Sequence, residues 1–159
     1  MKRLVVYYSL SGNTEAAAEK IAGLLDADIA KLETVKSMPK SFAARILVGG
    51  GQVAFKHIPE IKPLDKDTGI YDEIILGTPV WNSQGVPAVN AFLKNADAAA
   101  KVTSVFILSG GGEISKCTEA LAAQLPNLKN KVSLLDKKHE GSKNNDEKIE
   151  QFVQAITGA

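Results

Sequence analysis

The sequence predicts a doubly wound α/β sandwich: a five-stranded parallel sheet in the order 2-1-3-4-5, with helices on both faces. Three observations predict it. Short apolar runs alternate with helical patterns, the signature of parallel strands joined by crossover helices. Three polar, glycine-bearing loops, Ser9–Thr14, Gly77–Trp81 and Ser109–Gly112, each follow an apolar run. In this strand order those loops fall at the carboxyl ends of strands one, three and four, beside the switch point where such a sheet takes its ligand.

Each element follows in turn. Strand one covers about Arg3–Tyr8, and helix one runs from about Asn13 to Leu25 through Thr14-Glu15-Ala16-Ala17-Ala18-Glu19. Strand two, about Asp28–Glu33, mixes apolar and polar residues as an edge strand does. A long connection follows and is read as an insertion at about 35–70 within a single domain spanning 1–159. In it Lys40–Leu47 looks helical, Gly49-Gly50-Gly51 interrupts the pattern and Gln52–Lys56 resumes it. Pro59, Pro63, Asp65 and Asp67 read as irregular chain. Strand three, Glu73–Gly77, is nearly all apolar and therefore central. A short helix at about Pro87–Asn95, strand four at Val102–Leu108 and a helix at about Ile114–Leu125, ended by Pro126, come next. Strand five is Lys131–Leu135. The charged stretch Lys137–Lys148 reads as a solvated loop leading into a final helix at about Asn145–Thr157.

The loop after strand one carries the most specific chemistry. An apolar run ends in Ser9-Leu10-Ser11-Gly12-Asn13-Thr14 and a helix begins at once. Such a turn offers unpaired backbone N–H groups and the positive end of a helix dipole, which suits a phosphate. Ser9, Ser11, Asn13 and Thr14 add neutral donors. No Lys or Arg lies inside the loop, which separates it from a P-loop with its Gly-Lys-Ser/Thr ending. Small polar clusters of this kind also make ordinary turns.

Two later segments bear on the same site. In Gly77-Thr78-Pro79-Val80-Trp81-Asn82, Gly77 permits a close approach of the strand end to a ligand, and Pro79 stiffens the exit. Trp81 is the one tryptophan in a chain with 6% aromatic residues. It either caps the core, as single tryptophans commonly do, or stacks on a flat ligand ring. In Ser109-Gly110-Gly111-Gly112, three glycines at a strand end free backbone N–H groups for a ring edge, or else form a ligand-free loop.

The Ser-x-Ser-Gly-Asn-Thr loop resembles the FMN-phosphate loop of the flavodoxin family. The Gly-Thr-Pro-Val-Trp segment and the Ser109–Gly112 loop resemble that family's ring-binding segments. The likeness runs through the whole chain in order of elements, loop positions and length. It is closest to small flavodoxin-like proteins, because the strand-five region lacks room for the insertion of long-chain flavodoxins. It implies a flavodoxin-like three-layer sandwich with FMN as cofactor. The cofactor-binding residues would be Ser9, Leu10, Ser11, Gly12, Asn13 and Thr14 at the phosphate, with Thr78, Pro79, Val80, Trp81, Asn82, Ser109, Gly110, Gly111 and Gly112 at the ring. In flavodoxins a peptide at the Trp81–Asn82 position turns its carbonyl toward flavin N5 on one-electron reduction. The likeness implies that role here, a static turn being the alternative. One departure stands out. Many classical flavodoxins carry an aromatic residue in the loop after strand four to cover the second flavin face, and this loop has none.

The totals exclude several classes. With 19 Lys and Arg against 18 Asp and Glu, the formal net charge is +1, which gives no bulk case for nucleic acid or an anionic membrane. No apolar run is long enough to span a membrane. The basic, apolar opening Met1–Tyr8 is too short for a secretory leader and is read as strand one, so a cytoplasmic protein is expected. Cys117 is the single cysteine, with no CxxC and no nearby His, and reads as a structural thiol. His57 and His139 lack ligand spacing and read as surface residues, so no metal is expected. Lys36, Lys40, Arg45, Lys56 and Lys62 make 35–70 locally basic, a solvated face by default.

The resemblance implies a one-electron carrier in which FMN cycles among quinone, semiquinone and hydroquinone. The alternative is an FMN-dependent NAD(P)H:quinone or nitro-compound reductase, which an open ring face suits. A phospho-accepting signalling module would need clustered carboxylates after strand one, and Tyr7-Tyr8-Ser9 offers none. Expected partners are redox proteins or a small-molecule electron acceptor, with the chain a monomer or homodimer.

Overall fold

The computed structural model describes residues 1–36, 44, 47, 58–81, 85–111 and 114–158. Its strands are β1 (Arg3–Tyr7), β2 (Asp28–Lys31), β3 (Glu73–Pro79), β4 (Val102–Ser109) and β5 (Asn130–Leu135). Its helices are α1 (Asn13–Leu25), α2 (Pro87–Phe92), α3 (Ala96–Lys101), α4 (Ser115–Ala122) and α5 (Asn145–Thr157). The five strands form one parallel sheet in the order β2-β1-β3-β4-β5, as the alternation of strands and helices predicts. Across its centre, Val6 pairs Leu76 and Leu76 pairs Val105.

Each central strand buries both faces, which is why β1, β3 and β4 read as continuous apolar runs. On one face Leu4, Val6, Ile74, Leu76, Val105 and Ile107 pack with Val89 and Phe92 of α2 and Cys117 and Leu121 of α4. On the other Val5, Tyr7, Ile75, Phe106, Leu108 and Leu134 pack with Ala18 and Ile21 of α1 and Ile149 and Phe152 of α5. The period-2 alternation of side chains thus sorts one strand sequence into two cores.

Several boundaries differ from the sequence expectation. β3 runs two residues further than Gly77, because Thr78 and Pro79 still pair Ile107 and Leu108. Proline is tolerated there because it closes the strand. The helix expected over Pro87–Asn95 stops at Phe92, and a separate α3 follows. The break lies at Asn95, whose side chain accepts from Asp97 and Ala98 N–H groups and so starts a new helix. β2 ends at Lys31, two residues short of the expected Glu33. α4 ends at Ala122.

Beyond β2 the chain meets the far end of its own long connection. Thr34 bridges Ile61 antiparallel, Val35 N–H donates to Glu60 O at 2.9 Å, and Lys62 N–H donates to Glu33 O at 2.8 Å. An ion pair of 2.9 Å between Lys62 and Glu33 holds the same place. A short 3-10 helix, Thr68–Ile70, capped by Asp67, then leads to β3. The irregular chain expected around Pro59–Asp67 is therefore partly an edge pairing. The helical reading of Lys40–Leu47 lies, apart from Ala44 and Leu47, outside the described residues, as do Gly49–Gly51 and His57.

Candidate functional site

The loop after β1 is built around one glycine. Gly12 has φ 88° and caps α1 from the left-handed region, where any other residue is strained. A Cβ there would meet nothing within 4 Å, so backbone conformation, and not space, demands glycine. As a cap it brings no side chain to cover the helix end. The first intrahelical bond runs from Ala16 N–H to Gly12 O at 3.0 Å, which leaves the N–H groups of Asn13, Thr14 and Glu15 ahead of it. Ser9 Oγ accepts from Gly12 N–H at 3.1 Å and fixes the turn. Ser11 is exposed, Leu10 packs partly against the core and Thr14 is buried. A phosphate fits this cradle: an uncapped end of a 13-residue helix, rimmed by hydroxyls.

Charge beside the cradle is compensated. Glu15, in the first turn of α1, accepts from Tyr7 Oη at 2.7 Å and pairs with Lys31 at 3.0 Å. The Tyr7 hydrogen bond first, and Lys31 after it, hold its carboxyl below the usual range. Burial first, then the bond to Glu15, pushes the Tyr7 phenol well above the ordinary tyrosine range.

The exit of β3 supplies the second wall. Thr78 is fully buried and its hydroxyl donates to Pro79 O at 2.9 Å, so this side chain is turned inward. Val80 N–H donates to Leu108 O at 2.9 Å, tying the exits of β3 and β4 together. Trp81 is half-buried against the first core and meets Tyr8 edge-to-face, with centroids 5.7 Å apart and rings at 80°. Tyr8 N–H in turn donates to Gly77 O at 3.1 Å, so the tryptophan rests on the root of the loop after β1. Core cap and ligand-facing ring are thus compatible roles for Trp81. Asn82 lies outside the described residues.

Gly77 serves packing, which corrects the reading of it as a point of ligand approach. A Cβ there would lie 2.1 Å from Phe106 Cζ, inside the ring's own volume. Its missing side chain makes room for the aromatic neighbour paired to it on β4.

The third wall follows β4. Ser109 is buried and its hydroxyl accepts from Gly111 N–H at 3.4 Å, while Gly110 and Gly111 are exposed. Gly111 has φ 96°, so its backbone requires glycine. Gly112 lies outside the described residues.

A fourth element joins these three, and sequence reasoning missed it. The segment after β5 carries Asp136 and His139. Asp136 Oδ2 accepts from Asn13 Nδ2 at 2.7 Å, and Asp136 N–H donates to Ser109 O at 2.7 Å. The His139 ring lies against Gly111, where a Cβ would come within 2.6 Å of Cδ2 and Nε2. His139 is exposed, as expected, but it flanks the ring loop. The available signal was positional: the residue after strand five ends on the same carboxyl edge as the other loops.

Other candidates take no part. Cys117 is fully buried, and burial pushes its thiol up to about 11, which suits a structural role. Among the described residues no cluster of His, Cys, Asp or Glu could hold a metal ion, and no helix is long and apolar enough to cross a membrane. A groove of about 460 Å³ between α4 and β5, lined by Ile114, Thr118 and Lys131 among others, includes none of the loop residues.

The fold and its loops define a doubly wound domain whose polar loops converge at the switch point of the sheet. The family model described as flavodoxin matches residues 52–156. An "NAD(P)H dehydrogenase (quinone)" from Syntrophus aciditrophicus (strain SB) is 30% identical over 129 residues, covering 72% of this chain and 63% of that relative. The chain therefore spans less than two thirds of that relative's length. A flavoprotein in complex with FMN from Lactobacillus acidophilus NCFM superposes with a TM-score of 0.69 at 24% identity, over 92% of this chain and 97% of the other. A flavodoxin from the domain Archaea superposes with a TM-score of 0.58 at 16% identity, over 99% and 98%. The chain belongs to the flavodoxin family, and its fold is that of FMN flavoproteins.

Proposed function

We propose that the protein binds FMN at the four loops of the carboxyl edge and carries electrons one at a time between redox partners. The observation that carries this reading is the convergence itself. An uncapped helix start, a half-exposed tryptophan and a glycine loop are tied to one another by hydrogen bonds from Tyr8 to Gly77, Val80 to Leu108 and Asp136 to Ser109. FMN, when bound, supplies reversible one- and two-electron redox chemistry. The chain binds and orients it. The N–H groups at the start of α1, with Ser9 and Ser11, would hold the phosphate, and Trp81 would lie along one ring face. The backbone of Ser109–Gly112 would meet the ring edge.

A second reading has its own support. The Syntrophus relative is named as a quinone-reducing NAD(P)H dehydrogenase, and the loop after β4 contributes no aromatic cover. On this reading the ring's second face would admit a nicotinamide or a quinone, and the bound flavin would supply two-electron hydride chemistry.

An anaerobic reductive titration of the purified protein separates the two. Stepwise one-electron uptake, seen as a distinct long-wavelength absorbance at half-reduction, supports the carrier. Direct two-electron bleaching, fast with NAD(P)H, supports the reductase. Failure to take up FMN even when it is supplied overturns both.

A further inference from the structure

Asp136 is the point where the loops meet. Its N–H donates to Ser109 O, at the base of the glycine loop, at 2.7 Å. Its Oδ2 accepts from Asn13 Nδ2, at the start of α1, at 2.7 Å. Its Oδ1 accepts from Lys138 N–H at 2.9 Å and its carbonyl from His139 N–H at 2.8 Å. That turn sets the His139 ring against Gly111. Asn13 and Asp136 lie 123 residues apart, so the contact is a tertiary clamp and not a local turn. Asn13 Nδ2 also donates to Ser11 Oγ at 3.2 Å, so its side-chain nitrogen serves as a strut within the site.

A carboxylate beside a phosphate cradle is electrostatically unfavourable on its own. Here both its oxygens are engaged by N–H donors, which accounts for its presence through structure and not through charge. We propose that Asp136 is a positioning residue that couples the phosphate loop to the ring loop, so that each half of the flavin site is held by the other. This rests on the FMN reading above.

The test titrates the flavin-free full chain with FMN and with riboflavin, which lacks the phosphate, following flavin fluorescence. Asp136→Ala is expected to weaken FMN about tenfold and riboflavin at least about threefold, the scale of losing hydrogen bonds that hold a site. Asn13→Ala cuts the same clamp from the phosphate side and is expected to weaken riboflavin too, although riboflavin has no phosphate for that loop to hold. Asp136→Asn keeps one acceptor oxygen where the carboxylate uses two, for Asn13 and for Lys138 N–H, and is expected to weaken both ligands less than Asp136→Ala does. Near-ultraviolet circular dichroism confirms folding of each variant, and Asn13→Ala carries the test if Asp136→Ala does not fold. Unchanged riboflavin affinity in Asp136→Ala or Asn13→Ala overturns the coupling. So does tighter FMN binding in Asp136→Ala, the mark of a merely repelling charge, or an Asp136→Asn variant as weak as Asp136→Ala. If the parent chain binds neither flavin, the FMN reading falls and the coupling with it.

Discussion

Tyr7 links the sheet to the phosphate cradle through one hydroxyl. Its ring is buried under α1, and its Oη reaches Glu15 in that helix's first turn. The sign of the pH effect follows. Glu15 is held ionised below its ordinary range, so its stabilising contribution is present above the unfolded carboxyl range and is lost as pH falls through the lowered folded value. Tyr7→Phe removes the largest cause of that lowering and leaves Lys31 in place. Carboxyl-carbon NMR should show Glu15 titrating at higher pH in the variant, and urea melts should lose less stability between pH 7 and pH 3. A Glu15 titration that does not move would assign the shift to Lys31 alone. Trp81 permits a second measurement at this scale. If its ring lies along the flavin, Trp81→Leu should weaken FMN about tenfold, the loss of an aromatic stack, while the core contact with Tyr8 is partly kept. An unchanged FMN affinity would leave Trp81 as a core cap only.

Among the elements, the pairing of β3 with β4 is the most exacting. Gly77 and Phe106 face each other across the ladder, and the ring fills the space a Cβ would need. Gly77→Ala should therefore cost at least about 1–3 kcal/mol by overpacking at the sheet centre. A thermal melt should show a clear fall in midpoint. Phe106→Leu in the same chain should recover part of it, because a smaller neighbour gives the methyl room. Purely additive losses would mean that the clash is relieved elsewhere. The same pair shows what was legible. A glycine in an apolar strand announces a close approach, but not what approaches: ligand and core ring look alike in one dimension. The start and end of α1 and α5 were readable because caps and periodicity are local. The turn into α1 was readable for the same reason, since Gly12 and its hydroxyl neighbours are contiguous. Asp136 and His139 were not, because their meaning lies in contacts with Asn13 and Gly111 made across the sheet. The split between α2 and α3 turned on Asn95, read as the end of one helix although its side chain caps the start of the next.

For the molecule as a whole, the near balance of charge sets the electrical setting of the cofactor. The chain is formally +1, and an FMN phosphate brings roughly −2 at pH 7, so the loaded protein would be close to neutral. Full reduction of a flavin bound as proposed would add negative charge at the carboxyl edge, where Glu15 is already offset by Lys31. A strongly acidic protein opposes that added charge through its summed field, and a nearly neutral one does not. The flavin's second reduction potential should therefore be less negative here than in an acidic flavodoxin, and partner association should depend weakly on salt. Two surface lysines of this chain give a direct test. Lys137 and Lys138 are exposed on the turn that carries His139. Reversing both, Lys137→Glu with Lys138→Glu, shifts the local charge by about −4 on the turn whose His139 lies against Gly111. Spectroelectrochemical titration should then find a more negative second potential in the double variant at low salt, and the gap should close as ionic strength rises. A potential that stays put at every salt concentration would assign control of the flavin to its immediate hydrogen bonds and remove the net charge from the account.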